Sequence, residues 1–262
     1  MTATALVTGA SSGIGEALAH CFADGGHRLV LVARSADKLA AMAARLEREQ
    51  RVQVTVLPAD LAVPGAAGRL AATLRRRRIA IDVLVNNAGA LEHGAFAGMA
   101  PRRMQELVAL NVAGLTDMLA HFVPPMVERG RGRVLNVASI AAFQPVPGLA
   151  TYAATKAYVL SLTESLAEEL RGTGVSATTL CPGITATHML TRAVQTNARL
   201  ARLPQALVGD VDEVATEGYR ACLAGETICV PGLVNRAATL AARATPKWLL
   251  RRVAGALGRS AM

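Results

Sequence analysis

The sequence predicts an α/β fold, a doubly wound parallel sheet with helices packed over both faces. Three observations point to it. Short apolar runs alternate with longer helical patterns along the chain, which makes βαβ units. The core has to be aliphatic, because 52% of residues are hydrophobic and only 3% aromatic. That composition suits parallel strands buried on both sides. Finally, a turn rich in glycine joins the first apolar run to the first helical one. The chain's 262 residues suit one large domain that needs no disulfide or metal staple.

The first strand is Ala5–Thr8 and the first helix Gly13–Asp24. Between them the chain reads Thr8-Gly9-Ala10-Ser11-Ser12-Gly13-Ile14-Gly15. The first glycine permits a tight turn, and the later ones let backbone approach a pyrophosphate. The helix that starts there presents unpaired N–H groups and the positive end of its dipole to phosphate. A glycine turn alone says little, but strand before and helix after are the confirming context. The second strand, Arg28–Ala33, leads into the helix Ala36–Glu49. A dinucleotide fold usually carries an acid at this strand end for the ribose 2′-OH. Here Arg34 and Ser35 stand in its place. A guanidinium pairs bidentately with a 2′-phosphate, so NADP is expected over NAD.

The third strand is Val52–Leu57 and its helix Pro64–Arg77. The four cations Arg75–Arg78 end that helix. Consecutive helical residues share no face, so they read as a solvated terminus. The fourth strand, Val83–Asn86, runs into Asn87-Ala88-Gly89, and a long helix follows over Arg102–Glu128. Within it Asn111, flanked by Leu110 and Val112, requires a polar partner. The fifth strand, Arg133–Ala138, ends at Ser139, whose hydroxyl could hold a substrate oxygen. The next helix, Tyr152–Arg171, carries Tyr152 and Lys156 four residues apart and therefore on one face. A phenol near pKa 10 is a poor base at neutral pH, and a nearby ammonium favours its ionised form. Such a pair suits moving a proton to or from an alkoxide during hydride transfer. The strand Val175–Leu180, the helix Val211–Leu223 and the strand Thr227–Val230 complete the alternation.

Two segments break the pattern. Ile184–Leu207 follows the sixth strand, and loops at the carboxyl ends of such sheets surround ligand. It is therefore expected to cover the substrate. Residues 1–235 form the main domain, and 236–262 read as a basic amphipathic extension of it. Arg236, Arg243, Lys247, Arg251, Arg252 and Arg259 lie in this extension with no acidic residue, together with Leu240, Trp248, Leu249, Leu250, Val253 and Leu257. Contact with an acidic membrane surface is one reading of it. Packing on the body or on a second subunit is the other.

The remaining features exclude more than they assign. A net charge of +9 fits a phosphorylated cofactor as well as nucleic acid, and no nucleic-acid partner is expected. Cys21, Cys181, Cys222 and Cys229 show no CxxC spacing and are expected to be reduced thiols in the cytoplasm. No secretory signal is read at Met1–Ala5. The uncharged stretch Val134–Thr155 is interrupted by Asn136, Gln144, Pro145 and Pro147, which argues against a membrane span. His20, His27, His93, His121 and His188 lack metal-ligand spacing, neither HExxH nor GxSxG occurs, and no metal is expected.

Taken together, the glycine turn, Asp60, Asn86-Asn87-Ala88-Gly89, Asn111, Ser139, Tyr152, Lys156 and Pro182-Gly183 with Thr187 resemble the short-chain dehydrogenase/reductase family. They stand in family order and at family spacing from Thr4 to about Val230. The resemblance implies a Rossmann-type fold, one sheet of seven parallel strands in the order 3-2-1-4-5-6-7, and a homodimer or homotetramer. It implies Tyr152 as acid/base, Lys156 as the group that binds the nicotinamide ribose and depresses the tyrosine's pKa, Ser139 as the carbonyl-orienting hydroxyl, and Asn111 as holder of a relay water. Gly9, Ser11, Ser12, Gly13, Ile14 and Gly15 would cradle the phosphates. Arg34 matches the family's NADP-preferring pattern, with Ser35 beside it. Asp60 and Leu61 would meet adenine, Asn87, Ala88 and Gly89 would line the adenosine side, and Pro182, Gly183, Ile184 and Thr187 would face the nicotinamide. The expected activity is NADPH-dependent interconversion of a carbonyl compound and an alcohol. Loops Ala90–Ala97, Ile140–Leu149 and Ile184–Leu207 are mostly apolar, which suggests a hydrophobic substrate. A non-catalytic dinucleotide-binding regulator on the same fold is the alternative, and an isomerase or dehydratase with bound nicotinamide a third reading. An intact Ser139, Tyr152 and Lys156 argue against the regulator, because a sensor needs no acid/base.

Overall fold

The computed structural model describes residues 2–186, 208–246 and 248–252. Its strands are β1 (Thr4–Thr8), β2 (Arg28–Val32), β3 (Val54–Val56), β4 (Val83–Asn86), β5 (Gly132–Val137), β6 (Val175–Leu180) and β7 (Ile228–Cys229). They form one sheet in the order β3-β2-β1-β4-β5-β6-β7, and every pairing is parallel. Between the strands run α1 (Gly13–Asp24), α2 (Ala36–Glu49), α3 (Ala66–Arg76), α4 (Pro101–Val108), α5 (Leu115–Glu128), α6 (Ala150–Glu169) and α7 (Val211–Ala224). An eighth helix, α8 (Leu233–Ala244), follows β7.

Side-chain alternation along the strands builds a core on each face of the sheet. Leu6, Val30, Val32, Leu84 and Val134 face α3, α5 and α6, meeting Leu70, Met118, Phe122 and Val159. Ala5, Val7, Leu29, Leu31, Val85 and Leu135 face the other way, onto Leu18 and Phe22 of α1, Leu39 and Leu46 of α2, and Val214 of α7. Both faces are thus buried, as the near-continuous apolar strands require. Helix Pro101–Glu128 is long and apolar enough to cross a bilayer by length and composition. Its Met118, Phe122 and Met126 are instead committed to the core.

The structure departs from the sequence reading at identifiable places. β3 and β7 are shorter than expected, and both are edge strands that pair on one side only. The long helix before β5 is not uniformly α: residues Ala109–Gly114 form a π-helical stretch between α4 and α5. Gly114 sits there against the Leu61 carbonyl, with no room for a Cβ. Pi-bulges of this kind are frequent at functional sites. Helix α6 starts two residues before Tyr152, which places the phenol in the first turn. Arg75–Arg78 are exposed at the end of α3, where cations complement the helix dipole.

Candidate active site

The chain leaves β1, β2, β4, β5 and β6 along one end of the sheet, and the candidate residues gather there. At β1 the turn is closed by polar bonds. The Thr8 hydroxyl donates to the Val85 carbonyl at 3.2 Å and accepts from the Asn87 and Ala88 amides, each at 3.0 Å. The Asn87 side-chain amide donates back to the carbonyls of Thr8 (3.0 Å) and Gly9 (3.3 Å). Gly9 has φ +64, and a Cβ on it would come within 2.8 Å of the Asn87 amide nitrogen. A Cβ on Gly15 would press on the Gly9 carbonyl oxygen. Glycine is therefore required at both positions by close approach, and Asn87 acts chiefly by clamping the turn. The Ser12 side chain leaves the first turn of α1 uncapped, so its leading amides remain available to an anion. This cradle fits the pyrophosphate of a dinucleotide.

Arg34 is exposed after β2 and makes no bond or ion pair among the described residues, and Ser35 begins α2 without a side-chain cap bond. Both fit a 2′-phosphate. Asp60 accepts from the Ala62 amide at 3.0 Å. The Leu61 side chain is buried in the core, so only its backbone is left to face adenine. Beyond β6, the Pro182 carbonyl accepts from the Ile140 amide at 2.9 Å. A Cβ on Gly183 would strike the Asn235 side chain of α8, and Ile184 is at the surface. Thr187, His188 and the part of the expected substrate cover from residue 187 to 207 lie outside the described residues.

The candidate proton-transferring group is assembled from three segments. Tyr152 and Lys156 lie on one buried face of α6, with the ammonium nitrogen 5.8 Å from the phenol ring centre. Lys156 donates to the Val137 carbonyl at 2.8 Å. Ser139 accepts from the Ala141 amide at 3.2 Å, opening a 3-10 turn over Ile140–Phe143, and its hydroxyl lies beside the Tyr152 phenol. Burial raises the phenol above its ordinary value, and the Ser139 hydrogen bond opposes that rise. The expected depression of Tyr152 by Lys156 is not found: burial raises the phenol, and the one opposing contribution comes from Ser139. Burial also lowers Lys156, to about 8, which weakens it as a source of positive charge just above neutral pH.

Asn111 is buried in the π-helical stretch. Its carbonyl oxygen accepts from the Ala90 amide at 2.9 Å, and its amide donates to the Ala90 carbonyl (2.9 Å) and the Thr155 hydroxyl (3.1 Å). Thr155 in turn donates to the Tyr152 carbonyl at 2.7 Å. Asn111 thus ties the loop after β4 to the turn of α6 that carries Tyr152 and Lys156. Gly89 sits between the Asn111 oxygen and the Lys156 nitrogen. Asn111→Ala should destabilise the protein by about 2–4 kcal/mol, since the half-buried Ala90 amide and carbonyl and the buried Thr155 hydroxyl each lose a bond worth about 1 kcal/mol. Urea unfolding measures this, and a loss under about 0.5 kcal/mol, an ordinary surface effect, would contradict the bridging role.

Sequence reasoning missed Thr8 and Thr155 as site supports. Thr155 left one clue, a hydroxyl three residues after Tyr152 on the same helical face. It also missed Leu107 and Ala153, which pack with Tyr152 beside Ala141; Leu91, Val146 and Leu149, from two of the loops expected to be apolar, border them. All four cysteines are free. Burial pushes Cys181, Cys222 and Cys229 up to about 12, so none is a nucleophile at neutral pH. No cluster of metal-ligating side chains occurs among the described residues.

Comparison with known proteins places this chain in a populated group. The family model described as short chain dehydrogenase matches residues 3–198. The 2-(R)-hydroxypropyl-CoM dehydrogenase of Xanthobacter autotrophicus is 35% identical over 222 residues, 82% of this chain and 89% of the relative. The 1-deoxy-11-beta-hydroxypentalenate dehydrogenase of Streptomyces exfoliatus is 40% identical over 192 residues, covering 72% and 70%. Among solved structures, a short-chain dehydrogenase from Sphingobium yanoikuyae in complex with NADPH superposes with a TM-score of 0.82 at 36% identity, covering 91% of this chain and 92% of that one.

Proposed function

Because the chain belongs to the short-chain dehydrogenase family, we propose that it reduces a hydrophobic ketone or aldehyde, or oxidises the matching alcohol, with Tyr152 as its acid/base. It is an NADP(H)-dependent oxidoreductase of the carbonyl/alcohol class. NADPH supplies the hydride when bound. The glycine turn from Gly9 to Gly15 would hold its pyrophosphate, and Arg34 with Ser35 its 2′-phosphate. Asp60 and the Leu61 backbone would flank the adenine, and Asn87 to Gly89 the adenosine side. Pro182, Gly183, Ile184 and Thr187 would lie along the nicotinamide.

The observation that carries the mechanism is the meeting of Ser139, Tyr152 and Lys156, braced through Asn111, beside an apolar cluster. A phenol raised by burial is fully protonated near neutral pH, so the resting group is an acid ready to protonate an alkoxide. Ser139 orients the substrate oxygen toward it. Lys156, anchored on Val137, offers its remaining N–H donors to the nicotinamide ribose. Leu91, Val146 and Leu149 shed water from the site, which supports an apolar substrate.

Following NADPH oxidation across apolar and small polar carbonyl compounds tests the reading. Apolar ketones should turn over fastest. Turnover confined to small polar compounds would overturn the substrate class, and NADPH binding without reduction of any carbonyl compound would favour the regulator. The Kd for NADPH should rise as pH passes through about 8, where Lys156 loses its charge. A Kd that stays flat from about pH 6 to about pH 10 would remove the lysine from cofactor binding, since a linked ionisation must show in the binding curve.

We also propose a cytoplasmic homodimer or homotetramer. The four free thiols support the compartment. Exposed Val108, Val127 and Tyr158 on the outer helices support the assembly, and sedimentation velocity measures it.

A further inference from the structure

Helix α8 faces the wrong way for a helix in water. Its inward side is narrow and carries Asn235, Thr239 and Ala242. Its outward side is wide and apolar: Leu233, Val234 and Leu240 are 82%, 66% and 67% exposed, with only alanines between them on that arc. The two arginines of the helix border this face without neutralising it. Arg236 pairs with Glu217 at 2.7 Å, and Arg243 reaches Glu164 at 3.7 Å and lies over the Phe143 ring. These bonds pin the helix to the body with its apolar side out. Residues 248–252 are helical again, with Trp248 and Leu249 exposed. Arg251 and Arg252 follow, exposed and without a partner among the described residues. From residue 227 to the last residue the sequence contains no Asp or Glu.

We propose that α8 and the segment after it dock this enzyme on an anionic lipid surface, with Leu233, Val234, Leu240 and Trp248 entering the interface while Arg251 and Arg252 meet headgroups. Apolar side chains of this kind partition into the headgroup boundary, and tryptophan favours that depth. Unpaired arginines supply attraction to acidic lipid. The charge selects lipid over a second copy of the chain. A two-fold contact places the same patch on both sides and would set unneutralised arginines against one another. The face is also small: twelve helical residues present a footprint on the order of 200 Å², against about 800 Å² per partner in a stable dimer.

The test sediments the full chain with vesicles of phosphatidylcholine alone and of phosphatidylcholine with phosphatidylglycerol, at low and moderate salt. The wild type should pellet with the anionic vesicles only, and less at moderate salt. Leu233→Asp combined with Leu240→Asp should abolish pelleting. Arg251→Glu combined with Arg252→Glu should cut it at least about twenty-five-fold, from roughly fivefold for each of the two cations removed. Both double variants should unfold at the wild-type temperature, and the arginine pair keeps the test decisive if the aspartates disturb folding. A wild type that stays in the supernatant with anionic vesicles at low salt overturns the proposal. So does equal pelleting of wild type and both variants, which would place lipid binding on another basic surface such as Arg75–Arg78. A dimer in sedimentation velocity that Leu240→Asp splits would assign the face to a second copy instead.

Discussion

Tyr152→Phe is expected to leave a folded protein that still binds NADPH and turns over about 10²–10⁴-fold more slowly, the usual contribution of a positioned proton donor. The ring packs with Leu107, Ala141 and Ala153, and phenylalanine preserves that packing. What disappears is the hydroxyl, the only group on this side chain that can deliver a proton. Its neighbours hold other positions: Ser139 is fixed by the Ala141 amide, and Lys156 is anchored on the Val137 carbonyl. The unfolding midpoint should shift little, since a phenol that loses only a hydroxyl retains its apolar contacts. Steady-state kinetics beside a melting curve separates the outcomes. Activity within about threefold of wild type, far inside that range, would mean that another group moves the proton. Lost activity with lost folding would say nothing of chemistry, which is why NADPH binding to the variant is measured as well.

Arg34→Asp should lower NADPH affinity by roughly 10–100-fold, the loss of a hydrogen bond to a charged group worth about 1.5–3 kcal/mol, and raise relative affinity for NADH. The carboxylate repels a 2′-phosphate and can accept from a 2′-OH. The wild-type guanidinium is exposed and makes no bond within the described protein, so the exchange should not affect stability. Exposure also means that salt screens the contact, so the difference should shrink as ionic strength rises. Titrating both cofactors into both proteins gives the result. A wild type that binds NADH more tightly than NADPH would end the argument from Arg34.

The alternation of strand and helix was legible because its cause is local. Period-free apolar runs mark strands covered on both faces, and Ala5–Val7 or Leu29–Val32 are buried whichever way they face. The glycine turn was legible for the same reason: a left-handed φ at Gly9 and contact without room for a Cβ at Gly15 are demands a sequence displays directly. Four-residue spacing likewise puts Tyr152 and Lys156 on one side of α6.

Other features depend on partners remote in sequence. Asn111 advertised a need for hydrogen bonds but not that Ala90 and Thr155 would meet it, 21 and 44 residues away. The π-helical stretch that carries it packs Gly114 closely against the Leu61 carbonyl, a contact no periodicity encodes. The direction of the Tyr152 shift turned on how deeply the fold buries the phenol, and desolvation is a property of everything packed around a group. In the C-terminal segment the sequence displayed cations without acids, and only packing decided which side of α8 faces out. By itself, then, the sequence determined the strand–helix alternation, the glycine turn and the helix face that Tyr152 and Lys156 share, which rest on backbone conformation and short-range spacing. The tertiary structure alone decided how those side chains are braced, buried and charged, because these depend on distances between segments far apart along the chain.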